Sequence, residues 1–234
     1  MSVTDFNHKV AAITGAGSGM GQSLAVLLAR AGCHIAISDL NAEGLEETRA
    51  MLNPLVNVSV HVVDVAKREQ VEAFAASANA AHGKINMIFN NAGVSVTGLA
   101  EKMPYEDIEW LMNINFWGVV HGTKAFLPHL RAAGEGHVVN ISSVFGLVSI
   151  PTQSVYNAAK FGVRGFTDAL RIELDIERCG VSATTIHPGG IKTNIAHNAR
   201  IDESASAFGD DPANFGTQFD KMARTTPEKA AHQI

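Results

Sequence analysis

Short apolar runs, many of them β-branched, alternate with helical patterns from one end of this chain to the other. That alternation narrows the fold more than any other feature. Residues 10–13, 34–37, 58–63, 85–89, 137–141 and 181–186 read as buried strands, each bounded by Gly, Asn, Asp or Ser. Between them, residues 20–31, 42–52, 67–82, 104–131 and 152–179 carry helical patterns, the first ending at the stop glycine Gly32. Strict strand–helix alternation implies parallel strands, right-handed crossovers and helices on both faces of one sheet. The expected fold is a doubly wound, mostly parallel α/β sheet. No linker, repeat or shift of composition divides the 234 residues, so 1–234 reads as a single domain.

Two regions break the rhythm. Residues 189–225 form a long segment with scattered glycines and apolar residues and no clear strand, the pattern of a substrate lid. At the end, Thr226 and Pro227 read as the N-cap and first position of a helix. The sequence stops about two turns later, so a truncated C-terminal end is expected.

Composition removes several function classes. Hydrophobic residues make up 46% and charged residues 18%, which excludes a disordered chain. Lys and Arg total 18 against 23 Asp and Glu, so no basic field is present to attract nucleic acid. Cys33 and Cys179 are too few for a disulfide framework or a zinc cluster and read as small, partly buried hydrophobes. Residues 1–9 lack the basic flank and apolar run of a secretion signal, and no apolar run is long enough to span a membrane. A cytoplasmic protein is expected.

Chemistry begins at Thr14-Gly15-Ala16-Gly17-Ser18-Gly19-Met20-Gly21, directly after the first strand and opening the first helix. Glycines there let backbone N–H groups and the helix N-terminus approach a pyrophosphate. The spacing is G-x-x-x-G-x-G; it fits neither G-x-G-x-x-G nor a phosphate loop with its Lys. Asp39 ends the second strand about 20 residues on, where a carboxylate accepts from ribose hydroxyls and repels a 2′-phosphate. Positions 16, 17, 18, 20 and 40 are Ala, Gly, Ser, Met and Leu, with no cation for that phosphate, so NAD is expected rather than NADP. The alternative for Asp39 is a turn cap with Asn41.

Tyr156 and Lys160 lie four apart in a helical stretch and so share a face. A nearby ammonium lowers a phenol pKa towards neutrality, which would suit Tyr156 to proton exchange. Alone, the pair is a weak signal and reads more readily as a surface contact. With the other motifs in register, however, the chain resembles the short-chain dehydrogenase/reductase family of the T-G-x-x-x-G-x-G and Y-x-x-x-K type, over residues 6 to 193. Besides the glycine turn there are Asp64 after the third strand, Asn90-Asn91-Ala92-Gly93 after the fourth, Ser143 ahead of Tyr156, and Pro188-Gly189 through Thr193 after the sixth.

The resemblance implies a Rossmann-like fold, nucleotide-dependent oxidation or reduction of an alcohol–ketone pair, and specific roles. Asn115, Ser143, Tyr156 and Lys160 would be the catalytic set. Tyr156 would act as acid/base, Ser143 would orient the reacting oxygen, and Lys160 would lower the Tyr156 pKa and bind the nicotinamide ribose. Asn115 would bend its helix and hold a water linking Lys160 to solvent. The cofactor would touch Gly15, Ser18, Gly19, Met20, Gly21, Asp39, Leu40, Asp64, Val65, Asn91, Ala92, Gly93, Tyr156, Lys160, Pro188, Gly189, Ile191 and Thr193. Relatives also pair the helices near 104–131 and 152–179 across a two-fold axis, implying a homodimer or homotetramer. From the residues alone, the small side chains Ala158, Gly162, Gly165 and Ala169 fit equally well against another helix or the chain's own sheet.

Ten histidines are scattered with no H-E-x-x-H or Cys/His pairing, so no metal is expected, and no G-x-S-x-G elbow suggests a hydrolase. The loop 144–150, with Val94, Val96, Leu99, Ile191, Ile195, Ile201 and Phe208, suggests a greasy pocket for a small hydrophobic alcohol or ketone; internal packing of several of them is the alternative. Two other functions stay open: an NADPH-type carbonyl or 3-oxoacyl reductase, and a nucleotide-binding scaffold without chemistry.

Overall fold

A computed structural model describes residues 5–209 and 211–234. Residues 1–4 of the expected leader-free start, and Asp210 within 189–225, lie outside the described residues. In chain order the elements are β1 (Val10–Thr14), α1 (Gly19–Arg30), β2 (His34–Asp39), α2 (Ala42–Met51), β3 (Val58–Val62), α3 (Arg68–His82) and β4 (Met87–Asn90). There follow β5 (Val96–Thr97), α4 (Tyr105–Met112), α5 (Gly118–Ala132), β6 (Gly136–Ile141), α6 (Ser154–Glu177) and β7 (Val181–Ile186). The last are β8 (Arg200–Ile201), α7 (Phe215–Met222) and α8 (Pro227–Ala231).

Six strands form one parallel sheet in the order β3-β2-β1-β4-β6-β7. Each strand matches an expected one to within two residues. β1 lies inside the sheet and all five of its residues are buried, as a parallel strand covered on both faces requires. Its side chains alternate. Val10 and Ala12 join a core with Phe74 of α3, Phe126 of α5 and Leu174 of α6. Ala11 and Ile13 join another with Leu24 of α1, Leu45 of α2 and Ala231 of α8. A period of two in the strand thus divides the helices between the faces.

Local rules set the helix ends. Asn41 accepts from Glu43 N and Gly44 N to start α2. Gly83, with φ 76°, ends α3. Thr226 accepts from Lys229 N and Pro227 opens α8, as the sequence predicts.

Two expectations need correction. The helix predicted over 104–131 is not one α-helix, because residues 113–117 between α4 and α5 form a π turn. The 189–225 segment does contain a strand: β8 pairs with β5, outside the main sheet, and Ile191 bridges Thr225. A two-residue strand has no periodicity for sequence reading to find.

The sequence order turns from β3-β2-β1 to β4-β6-β7 between β1 and β4. In such sheets ligands bind outside the carboxyl ends at this switch point. Thr14, Gly15, Asn90 and Asn91 lie there.

Candidate active site

The floor of the crevice is a backbone turn held by side chains. Gly15 adopts φ 66°, in the left-handed region that disfavours a side chain. A Cβ on Gly21 would lie 2.1 Å from the Gly15 carbonyl oxygen, so the first turn of α1 presses directly on the loop. Asn91 Nδ2 donates to the carbonyls of Thr14 and Gly15 at 2.9 and 3.1 Å. Thr14 Oγ1 in turn accepts from Asn91 N and Ala92 N at 3.0 and 3.1 Å. The ends of β1 and β4 are therefore cross-braced. This cradle fits a nucleotide pyrophosphate: its floor is backbone, it opens a twelve-residue helix, and side chains are excluded from it.

Asp39 closes one wall. Its Oδ2 accepts from Gly17 N at 2.9 Å and its Oδ1 from Asn41 N at 2.9 Å. The carboxylate both caps the turn and borders the glycine loop. Leu40 beyond it is exposed. Asp64 Oδ1 accepts from Ala66 N at 3.0 Å, and the buried Val65 offers its carbonyl to His121 at 3.1 Å. Ser18 is exposed at the head of α1, while Met20 packs against the core beneath.

Across the crevice, the Pro188 carbonyl accepts from Val144 N at 2.9 Å. A Cβ on Gly19 would lie 3.1 Å from Thr193 Cγ2, so Thr193 borders the glycine turn. Gly189 is exposed, and Ile191 is engaged with Thr225.

The expected catalytic residues converge. Ser143, buried after β6, faces Tyr156, which is half-buried in the first turn of α6. Lys160 lies one turn on, 4% exposed. Its Nζ donates to the Ile141 carbonyl at 3.0 Å and stands 5.5 Å from the centre of the Tyr156 ring. Asn115 is fully buried in the π turn, its Oδ1 accepting from Val94 N and its Nδ2 donating to Val94 O, both at 2.8 Å. An ideal Cβ on Gly93 would be 3.5 Å from Asn115 Oδ1 and 3.8 Å from Lys160 Nζ, which places that glycine between them.

Burial dominates the electrostatics of the pair. Burial pushes the Tyr156 phenol up to about 12, opposed only by the Ser143 hydrogen bond. Burial also lowers the Lys160 ammonium to about 8. The Asn115 amide spends one donor and one acceptor on Val94, which leaves one of each.

Other expected residues resolve as packing. Val96 is 1% exposed in a core with Leu111 and Val155, so it does not line a pocket. Gly162 faces Phe116 of the same chain. Cys33 is buried, its thiol pushed up to about 12, and is not disulfide-bonded. Among the described residues no three His, Cys, Asp or Glu side chains converge as a metal set, and no helix is long and apolar enough to cross a membrane.

Sequence reasoning missed the supports under the site. Asn90 Nδ2 donates to Asn140 Oδ1 at 2.8 Å, and Asn140 Nδ2 to Thr167 Oγ1 at 2.9 Å, a buried ladder linking β4, β6 and α6. The His187 ring donates through Nδ1 to the Ser143 carbonyl at 2.9 Å. Polar residues in otherwise apolar strands were the available signal.

A doubly wound sheet with a side-chain-free pyrophosphate cradle and a Ser–Tyr–Lys set at its switch point defines a nucleotide-dependent oxidoreductase. The chain belongs to the short-chain dehydrogenase family, whose model matches residues 9–204. It is 47% identical to the SadH protein of Mycobacterium tuberculosis over 99% of this chain and 83% of that protein. Among solved structures it is similar to a short-chain dehydrogenase/reductase from Burkholderia phymatum in complex with NAD, with TM-score 0.91 and 29% identity over 98% of this chain and 85% of that one. It is also similar to an alcohol dehydrogenase from Thermococcus sibiricus complexed with 5-hydroxy-NADP, with TM-score 0.81 and 26% identity over 96% and 88% of the two chains.

Proposed function

We propose that this protein is an NAD-dependent dehydrogenase interconverting a hydrophobic secondary alcohol and its ketone. The observation that carries the reading is Tyr156 facing Ser143, with the Lys160 ammonium one helical turn away and 5.5 Å from the ring, beside a cradle that suits a pyrophosphate. The nicotinamide supplies the hydride donor or acceptor and, when oxidised, a positive charge. Ser143 holds the reacting oxygen, and Tyr156 gives it a proton in reduction or takes one in oxidation. A phenol at about 12 holds its proton at neutral pH, so oxidation needs added positive charge nearby, and the Lys160 ammonium is placed to share in providing it.

Asp39 supports NAD over NADP. Its carboxylate lies against the glycine turn at Gly17, where it would accept from ribose hydroxyls and repel a 2′-phosphate. Lys160 and Asn91 through Gly93 would meet the nicotinamide end, with Pro188 to Thr193 opposite. Residues 189–225 would form the lid, with Phe208 and Met222 exposed on it. Phe161, Ile172 and Ile176, exposed along α6, support pairing of two subunits through that helix, in a cytoplasmic setting.

The test is NAD reduction across aliphatic, cyclic and steroid-like secondary alcohols, with Tyr156→Phe as control. Turnover lost in the variant is expected. Silence of a folded, NAD-binding wild type would favour the scaffold, and a preference for NADPH with ketones would favour the carbonyl reductase.

A further inference from the structure

The strip from Ser143 to Ile150 runs from the acid–base site to an exposed apolar lip, and one side chain outside the expected catalytic set holds its far part. We propose that Asn157 is a positioning residue that fixes this lip and thereby selects substrates by the length of their apolar chain. The proposal rests on the alcohol–ketone reading above.

Asn157 follows Tyr156 on α6 and is 5% exposed. Its Nδ2 donates to the Phe145 and Val148 carbonyls at 2.8 and 3.0 Å, and its Oδ1 accepts a longer bond from Ile150 N at 3.4 Å. Three backbone groups of one short strip therefore converge on one amide. A primary amide supplies two donors and an acceptor on a short stem, which no other side chain of its size does. Backbone contact reinforces the seat: a Cβ on Gly146 would lie 2.3 Å from Ser142 Oγ and 2.8 Å from the Lys160 carbonyl, so the strip lies flush on α6.

The near end is held by different groups. His187 bonds the Ser143 carbonyl, and Val144 N donates to the Pro188 carbonyl, both at 2.9 Å. With both ends fixed, Leu147, Val148 and Ile150 stay 47, 57 and 42% exposed, while Phe145 meets the Tyr156 ring edge-on at 6.2 Å. Loss of the Asn157 amide would release the lip and leave Ser143 tethered. The penalty should then fall on the apolar chain of the substrate and spare the cofactor.

The experiment compares wild type with Asn157→Ala and with Asn157→Asp, which keeps size and acceptor but loses the amide donors. It measures kcat and KM for a series of linear secondary alcohols from short to long, NAD affinity by protein fluorescence, and amide hydrogen exchange over residues 145–150. Faster exchange in the strip is expected in both variants. The long-to-short ratio of kcat/KM should fall about tenfold, mainly through KM, and NAD affinity should hold within about twofold. An unchanged ratio in an active enzyme overturns the proposal, as does an equal loss of kcat for all alcohols with unchanged exchange. If Asn157→Ala does not fold, Asn157→Asp carries the same comparison. If wild type oxidises none of the alcohols, the dehydrogenase reading falls and this role falls with it, whereas an unchanged ratio removes Asn157 alone.

Discussion

The glycine turn at residues 14–21 and the segment 189–225 face the same crevice but are built on different principles. The turn is bonded on every side: Asn91 and Thr14 brace it, Gly21 presses on it, and Asp39 caps it. The segment hangs from a few attachments. They include β8 against β5, Ser204, whose Oγ accepts from Leu99 N at 3.0 Å, and Arg200, which bonds Asp107 at 2.7 Å and stacks on Trp110 at 3.8 Å; the Ile191–Thr225 bridge and the exposed His197–Asp220 pair tie the segment only to itself. A group common to every turnover can be met by fixed backbone donors. A substrate that must enter and leave needs walls that can move. In the chain, the turn rests on buried strand ends, and the segment proposed as the lid on short helices and surface contacts.

Substitutions can break this contrast. The largest effect is expected at the point where the regions meet: Tyr156→Phe should lower turnover by about 10³-fold or more, with NAD binding nearly intact, read by steady-state rates and fluorescence titration. Substantial residual activity would sink the acid–base role. Next comes Gly21→Val. Its side chain must displace the Gly15 carbonyl, so loss of NAD binding and a cost of about 1–3 kcal/mol in denaturant unfolding are expected. Normal binding in that variant would show that the turn is as yielding as the lid.

A third substitution tests discrimination within the fixed region. Asp39→Ala should bring NADP within reach of NAD, shifting the ratio of their kcat/KM values by roughly tenfold or more, and an unchanged ratio rules out the assignment. In the segment proposed as the lid, Arg200→Ala should raise KM for alcohols several-fold while costing only about 1 kcal/mol, because its ion pair and ring contact are partly exposed. Equal loss of NAD affinity would place Arg200 with the rigid half.

The smallest effect is a pH dependence away from both. Burial is the main cause that lowers the pKa values of His61, His82 and His137 from 6.5, with His34 and His61 adding to it at His82 and Arg171 at His137. His61 and His82 both contact Ser59 Oγ at 2.9 Å, and His82 Nδ1 is buried without a partner. A depressed histidine binds fewer protons folded than unfolded, so its stability is complete above pH 6.5 and falls as pH drops below that value. The melting temperature should therefore decline between pH 7 and 5.5. Replacing His82 by Gln should shallow the decline, and an unchanged slope would clear these histidines.

What could be read from the sequence follows the same division. Strand alternation, the glycine spacing and the Tyr156–Lys160 interval are local patterns, and the six strands of the main sheet lie where those patterns put them. Long-range pairing leaves no such trace. β8 finds β5 across a hundred residues, and Asn140 meets Asn90 across fifty. Nothing near either residue announces its partner. Spacing likewise shows that Lys160 is near Tyr156, but not that its ammonium also bonds the Ile141 carbonyl. The buried asparagines were legible only as polar interruptions, and what they hold required coordinates.

The π turn at 113–117 amounts to one extra residue spliced into a helix. An α-helix advances about 100° per residue, so everything downstream is dialled round by that angle relative to α4. Leu111 can thus point into the core with Val96, and Phe126 into a different one under the sheet, while Asn115 reaches Val94 from the widened turn. A single-residue deletion there would restore an ideal helix and ruin this phase, a rare case in which more regular secondary structure should make a worse protein.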